Sequence, residues 1–279
     1  MPEQASSPKK PSARKKHARA LQGVTAGLIV GVLVSLLFLA GFFSGFETSL
    51  ADFRRIHWTT GTPGTNTVHI NVTQACLASL EGNDITWPWP REAWARIVDY
   101  LEQAGARTVV FDLLFTEFSS RGVEDDRKLV SAISNSRTAV FSAQFSQPVT
   151  DSERGNRLIA SNRSAQILRA EPVRRFSVPV KVMEDGAPLA RYSLLEAYPY
   201  EEYLPYIAAL GNVHLQADPD SIARRKRLAF DHYGTGFFDL TLAGMKHTLD
   251  IREIRVSHGR LDLVGPGGIL RTIPLDDSG

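Results

Sequence analysis

The sequence predicts an α/β protein: a single N-terminal transmembrane helix followed by an extracytoplasmic α/β domain with a mixed, partly parallel sheet. Three observations carry this. Residues 21–46 run without a single ionisable side chain, and about 20 apolar residues suffice to cross a bilayer as a helix. Residues 68–145 alternate strand-like and helix-like patterns at lengths suited to parallel strands joined by crossovers. Residues 211–275 break into short apolar runs separated by Gly, Pro and Asp. Of the 279 residues, 43% are hydrophobic and 22% charged, which excludes wholesale disorder, a collagen-like chain and a polytopic channel.

The elements follow in chain order. Residues 1–20 carry six Lys or Arg (Lys9, Lys10, Arg14, Lys15, Lys16, Arg19) against one acid, Glu3, and are rich in Pro and Ser, a composition that does not fold alone. Residues 21–46 (LQGVTAGLIVGVLVSLLFLAGFFSGF) have no polar face. Small residues at Ala40–Gly41 would suit signal-peptide cleavage, but the apolar run is much longer than the about 7–15 residues of a signal h-region, which favours an uncleaved anchor. The basic leader then stays in the cytoplasm and residues 47–279 lie outside. Gly23, Gly27 and Gly31 repeat every fourth residue, a spacing that lets two membrane helices approach; it also reflects the ordinary frequency of Gly in such helices. Beyond the leader, 26 basic and 29 acidic residues remain, so the slightly basic whole is an acidic domain with a basic tail and nucleic acid is excluded as a partner.

Residues 47–58 place Leu50, Phe53 and Ile56 on one side and read as a juxtamembrane helix, ended by the turn cluster 59–66 (TTGTPGTN). Residues 68–72 (VHINV) alternate as a strand does. A loop closes on Trp87-Pro88-Trp89-Pro90-Arg91, and the strongest helix follows over 91–104, with Trp94, Ile97, Val98 and Leu101 in one stripe. Residues 108–115 (TVVFDLLF) read as a buried strand, 124–134 as a helix with Leu129, Val130 and Ile133 inward, and 138–145 as a strand. Residues 146–176 are polar and Arg-rich, an excursion from the sheet. Strands are predicted over 211–216, 228–233 and 261–264, a helix over 237–249, and short strands with turns over 254–275.

Candidate functional residues are few. Seven His show no metal-ligand spacing, and no nucleophile elbow or P-loop is present, so no metal, cofactor or catalytic residue is expected. The one cysteine, Cys76, excludes an internal disulfide and is expected to pack inside. Asp218 and Asp220 form a D-x-D whose hard oxygens suit Mg²⁺ or Ca²⁺, or a plain Asp-Pro turn. Asp112 interrupts an apolar strand near its carboxyl end, where α/β sheets bind ligands; otherwise it pairs with Arg91 or Arg107. Trp87, Trp89 and Arg91 form either an aromatic wall with a cationic tip for a ligand or a rigid apolar lid on the core. Arg224-Arg225-Lys226-Arg227 is a basic run facing either an anion or solvent.

The stretch ITWPWPREAWARIVDYLEQAGARTVVFDLLF (residues 85–115) resembles the centre of the second family of CHASE sensor domains. The resemblance rests on the Trp87–Arg91 turn, the helix ending in Gly105-Ala106, the Phe111-Asp112 step and the acidic pair Asp125-Asp126. A second block comprises Leu210-Gly211-Asn212-Val213 and the run from Asp218 to Arg225. It extends over roughly residues 47–275. The family's first strand usually ends in Asp, where this chain has Thr73 or Gln74, and the Gly of the family's D-x-D-G turn is Ser221 here. Such domains are extracytoplasmic modules of bacterial receptors linked to nucleotide cyclases, histidine kinases or Ser/Thr kinases. The resemblance implies a sensory input module in the bacterial inner membrane, its N-terminus cytoplasmic, paired as a homodimer through the transmembrane and juxtamembrane helices. Its unknown extracytoplasmic ligand would meet Trp87, Trp89, Arg91, Asp112, Asp218, Asp220 and Arg224. The family's later membrane helices and output domain are expected elsewhere in a longer parent or to be lacking from a stand-alone sensor. Two other readings stand beside it: an anchored periplasmic metal-dependent transferase or hydrolase using Asp218, Asp220 and Asp112, and a structural envelope protein without a small ligand.

Overall fold

A computed structural model of the chain describes residues 13–58, 64, 66–82, 85–147, 163–218 and 220–275. The first part of the basic tail, most of the 59–66 turn cluster, the middle of the 146–176 excursion and Pro219 of the D-x-D lie outside the described residues. The chain divides into two units, Met1–Asn71 and Val72–Gly279.

In the first unit, helix α1 (Ala13–Leu39) contains a stretch, Leu21–Leu39, of mean hydropathy 2.2 that is long and apolar enough to cross a membrane. At 1.5 Å per residue its 19 residues reach about 28 Å, close to the hydrocarbon thickness. The uncharged run over 21–46 is not one continuous helix: α1 ends at Leu39 and a turn follows. Gly41 adopts φ +73°, the Phe42 amide bonds the Leu37 carbonyl at 3.0 Å, and the Gly41 amide bonds that of Phe38 at 3.0 Å. These two bonds are a Schellman closure, which needs a residue that tolerates the left-handed region. Helix α2 (Ser44–Trp58) then starts afresh, with Leu50, Phe53 and Ile56 exposed.

The second unit is built around one strand. After α3 (Gln74–Glu81), α4 (Arg91–Gln103), β1 (Val109–Val110) and α5 (Val123–Ser136) comes β2 (Ala139–Ser146). β2 pairs in parallel with β1 and with β5 (Ala209–Asn212), and antiparallel with β4 (Leu194–Ala197) across a bulge between Gln144 and Phe145. Its side chains are buried on both faces, which suits a largely apolar sequence; the buried Ser142 hydroxyl is met by the Leu113 carbonyl at 2.6 Å. Phe141 and Phe145 face one core with Trp94 and Val98 of α4 and Leu129 and Ile133 of α5. Val140 faces a second core with α7 (Leu240–Leu249) and a four-stranded sheet ordered β10-β9-β8-β3. That sheet comprises β3 (Val180–Val182), β8 (Glu253–Ser257), β9 (Arg260–Gly265) and β10 (Gly268–Pro274), with β3 and β8 parallel. Between the halves run α6 (Arg163–Ala170), a 3₁₀ turn (Glu171–Phe176) and the hairpin β6 (Ala229–His232) and β7 (Thr235–Phe238).

Five elements depart from expectation. The strand expected over 211–216 lies at Ala209–Asn212 instead. Residues 68–72 form no strand; Val68 and Ile70 are exposed, and alternation alone makes no strand without a neighbour to pair with. The loop expected after it contains α3, whose Thr73 side chain caps the Cys76 amide. The 108–115 strand is regular only over Val109–Val110, then bends so that Phe111 and Phe115 both turn inward. The 237–249 helix starts at Leu240, because Asp239 accepts the Leu242 amide at 2.9 Å and the Thr241 amide at 3.3 Å as its N-cap; Phe237 and Phe238 belong to β7.

Candidate functional site

The N-terminus of α4 has no cap of its own, since Pro90 precedes it. Its free amides are taken instead by a side chain of another helix: Asp125 accepts the Arg91 amide at 2.8 Å and the Glu92 amide at 2.9 Å. The Ser119 hydroxyl donates to the same carboxylate at 2.5 Å. Burial opposes the charge on Asp125, but these donors outweigh it and hold the carboxyl below its ordinary range. The neighbouring Asp126, 1% exposed, accepts the Ser119 amide at 2.8 Å and the Tyr203 hydroxyl. Arg91 Nε lies 3.5 Å from Asp126 and donates to the Tyr203 oxygen at 3.1 Å. The guanidinium also bonds the Glu117 carbonyl at 3.0 Å and stacks over Phe115. Burial and the bond to Asp126 push the Tyr203 hydroxyl far above its usual pKa. The result is a buried chain of charge-assisted bonds, Arg91 to Tyr203 to Asp126, pinning the starts of α4 and α5 together.

The tryptophans extend this centre as a ladder of rings. Trp87, Trp89 and Trp94 lie 5.2–6.3 Å apart, and Trp94 continues through Phe111 and Phe115 to Phe141 and Tyr203. Trp89 is buried, whereas Trp87 is 51% exposed. A groove of about 430 Å³ opens beside the network, lined by Thr116, Arg169, Glu196, Tyr198, Tyr200 and Glu201. It is contiguous with it through the Tyr200 amide on the Phe115 carbonyl, 2.7 Å, and the Tyr200–Tyr203 ring contact. Burial, aided by Glu201 for Tyr198 and Glu202 for Tyr200, raises both tyrosine pKa values.

The remaining expected residues lie in two other places. Asp112 is exposed, and among the described residues neither Arg91 nor Arg107 pairs with it; Arg91 is held by Asp126 instead. Asp218 and Asp220 close onto Arg224, which reaches Asp218 at 3.1 Å and forks onto both oxygens of Asp220 at 2.9 and 2.7 Å. Arg224 lowers the Asp220 pKa. The Ser221 amide bonds the Asp218 carbonyl at 2.8 Å, with Ser221 at φ +65° where a Gly would be unstrained. In the basic run, Lys226 reaches Asp239 at 3.2 Å, and Arg227 bonds the Tyr192 hydroxyl, opposing the upward shift that burial imposes there. Among the described residues no group of three His, Cys, Asp or Glu is placed to hold a metal. A cation would have to displace Arg224 from both carboxylates, so Mg²⁺ is expected to leave the melting temperature of the chain unchanged; a rise that Asp220→Ala abolishes would contradict this.

Cys76 is exposed on α3, not packed inside, because that short helix buries none of its residues. The Thr73 hydroxyl lowers its thiol pKa. Of the residues in the buried centre, Asp125 and Asp126 stood out as an acidic pair, but Ser119 and Tyr203 were not expected there. Tyr203 ends the run YPYEEY over 198–203, dense in aromatic and acidic side chains, and Ser119 carries no comparable signal in the sequence.

A family model described as CHASE2 domain matches residues 29–279. No curated protein and no solved structure matches the chain.

Proposed function

The chain belongs to the CHASE2 domain family, extracellular sensory domains, and from that premise we propose that it is the signal-input module of a membrane receptor, tethered by an uncleaved anchor. The match over residues 29–279 carries the reading. It is supported by the 19-residue stretch Leu21–Leu39, of mean hydropathy 2.2 and with none of it buried, near the N-terminus of the chain. In this reading residues 1–20 are cytoplasmic, 21–46 hold the anchor and 47–279 are displayed outside the inner membrane, the orientation that the basic leader favours. The chain pairs as a homodimer through α1 and α2. Gly23, Gly27 and Gly31 suit such a contact: a methyl added at each meets nothing within 4 Å in the single chain, so the face is open to a second helix. A stimulus acts by binding two arrangements of the module with different affinity, and the exposed apolar side of α2 passes the difference to α1. Among the residues expected to meet a ligand, Trp87, Asp112 and Asp220 are exposed.

Protease added to intact spheroplasts tests the topology. Digestion of the C-terminal bulk with protection of an N-terminal tag is expected; a protected bulk, or a mature N-terminus near residue 42, overturns the reading. Leu33→Lys places a charge at the centre of the span, worth about 2.5–3.5 kcal/mol against insertion, and is expected to release a large fraction of the chain from the membrane. Undiminished membrane retention of that variant would count against α1 as the anchor.

A further inference from the structure

Helix α2 begins where the apolar span ends. The closure made by the Gly41 and Phe42 amides terminates α1 at Leu39, about 28 Å along the helix from Leu21, so the turn over 40–43 falls at the outer hydrocarbon boundary of the anchor. Phe42 and Phe43 stand in that turn with their rings edge to face at 5.4 Å, the depth at which aromatic side chains collect in membrane proteins. α2 opens directly after it. Its two sides differ. At about 100° per residue, Phe46, Leu50, Phe53 and Ile56 fall within about 120° of one another, and they are 41–77% exposed. His57 and Trp58 extend this side at its far end, their rings 4.3 and 6.3 Å from that of Phe53. Thr48, Ala51 and Asp52 occupy the opposite side, and Glu47 and Arg54, seven positions apart, share one edge.

Large apolar side chains gathered on one open side of a helix call for a cover, and either a second copy or lipid would supply it. A two-stranded helical seam takes Leu at its d positions and β-branched residues at a. Here such a seam would put Phe46 and Phe53 at d and His57 at a, and would leave Ile56 outside it. The broad, aromatic-rich stripe matches instead a helix lying in the membrane interface, apolar side down and charges up. The two acids and two arginines of α2 cancel, so its attraction to the bilayer comes from apolar burial and needs no anionic lipid.

We propose that α2 lies along the outer surface of the bilayer, with Phe46, Leu50, Phe53 and Ile56 immersed at the boundary of headgroups and acyl chains, lipid being the occupant of its apolar side. The closure at Gly41 is what allows this, since a helix running on unbroken from α1 would carry the same side chains straight out into water. The edge with Glu47 and Arg54 then stays at the lipid surface, open to a paired copy. This rests on the anchored-sensor reading and names the medium through which α2 acts on α1: a movement of the module that lifts α2 from the lipid changes the tilt of the span.

Spin labelling of the full chain in phosphatidylcholine nanodiscs tests it. Cys76→Ser removes the one native thiol, and Leu50→Cys, Phe53→Cys, Thr48→Cys or Ala51→Cys each carries a single label. The labels at Leu50 and Phe53 are expected to lose access to a nickel chelate while keeping access to oxygen, and those at Thr48 and Ala51 to show the reverse; added phosphatidylglycerol should change neither. Phe46→Gln with Phe53→Gln is expected to return the Leu50 label to water. Equal nickel access all round the helix, or immersion only when phosphatidylglycerol is present, overturns the proposal. So does a loss of both reagents at Leu50 and Phe53 with spectral broadening that disappears on dilution with unlabelled chain, the signature of a second copy on that side. A chain that stays in the nanodisc with its Leu50 and Phe53 labels in water removes the interfacial helix and leaves the sensory reading standing; a chain that leaves the nanodisc removes both.

Discussion

Asp126→Asn is expected to destabilise the sensory module by about 3–5 kcal/mol, the usual cost of removing one partner from a buried ion pair. Asp126 is almost fully buried, and it receives a backbone amide, a tyrosine hydroxyl and the Arg91 guanidinium, whose side chain is itself only 12% exposed. An asparagine keeps the shape but turns an N–H₂ towards a pocket already filled with donors, and it leaves Arg91 without its nearest opposite charge. The measurement is a urea transition of the full chain in micelles, followed by tryptophan emission, since Trp87, Trp89 and Trp94 sit on the same ladder of rings. The midpoint should fall with little change in slope. A combined Arg91→Met and Asp126→Leu variant, which removes both charges, should be more stable than Asp126→Asn alone. Equal loss in both would show that packing, not the unpaired charge, sets the cost. The partner carboxylate adds an acid limb. Asp125 has a depressed folded pKa, so its contribution is fully present above its unfolded value of about 3.9 and is lost as pH falls through the folded value. The module should therefore weaken below about pH 4, and less steeply in Asp125→Asn.

Gly211→Ala is the second large effect, expected at about 1–3 kcal/mol or more. Gly211 lies in β5, opposite Ser142 of β2, where the start of α7 crosses the strand. A methyl placed there would come 2.4 Å from the Leu240 Cα and 2.9 Å from the Asp239 carbonyl oxygen. Both are backbone atoms at a capped helix start, so neither can swing aside as a side chain could. The melting temperature should drop by roughly 2–4 °C for each kcal/mol in a domain of this size. Gly244→Ala offers the comparison: its methyl would meet only a Val110 side-chain carbon at 3.0 Å, and the loss should be smaller. If the two variants melt together, close approach of strand and helix is not what Gly211 provides.

Gly211 and Asn212 also show how the recognisable blocks do their work. Asn212 Oδ1 accepts the Phe145 amide at 2.8 Å and the His214 amide at 3.2 Å, satisfying β2 beyond the last paired residue of β5. The second resembling block therefore seals the end of the parallel pairing, and the first, from Trp87 to Phe115, supplies the outer rings of the ladder and the Arg91 end of the charge chain.

Patterns enforced within one or two turns of chain were legible before any folding. The uncharged run over 21–46, of which Leu21–Leu39 forms an apolar helix, the stripe Trp94, Ile97, Val98 and Leu101 at the helical period, and the largely apolar stretch over 138–145 were each readable from adjacent residues. The family could be read for the same reason, since its two blocks are contiguous. Which charges meet was not legible. Arg91 finds Tyr203 at a separation of 112 positions, Asp125 caps a helix 34 positions upstream, and Arg224 closes the D-x-D that composition alone left open as a cation site. The strand expected over 68–72 failed where the strand over 138–145 succeeded because a strand is completed by neighbours, and only the second has them. Sequence periodicity determined the elements because local backbone geometry is set by adjacent residues. The pairing of buried charges was decided by tertiary structure, because a desolvated group takes whatever partner the chain crossings bring within reach.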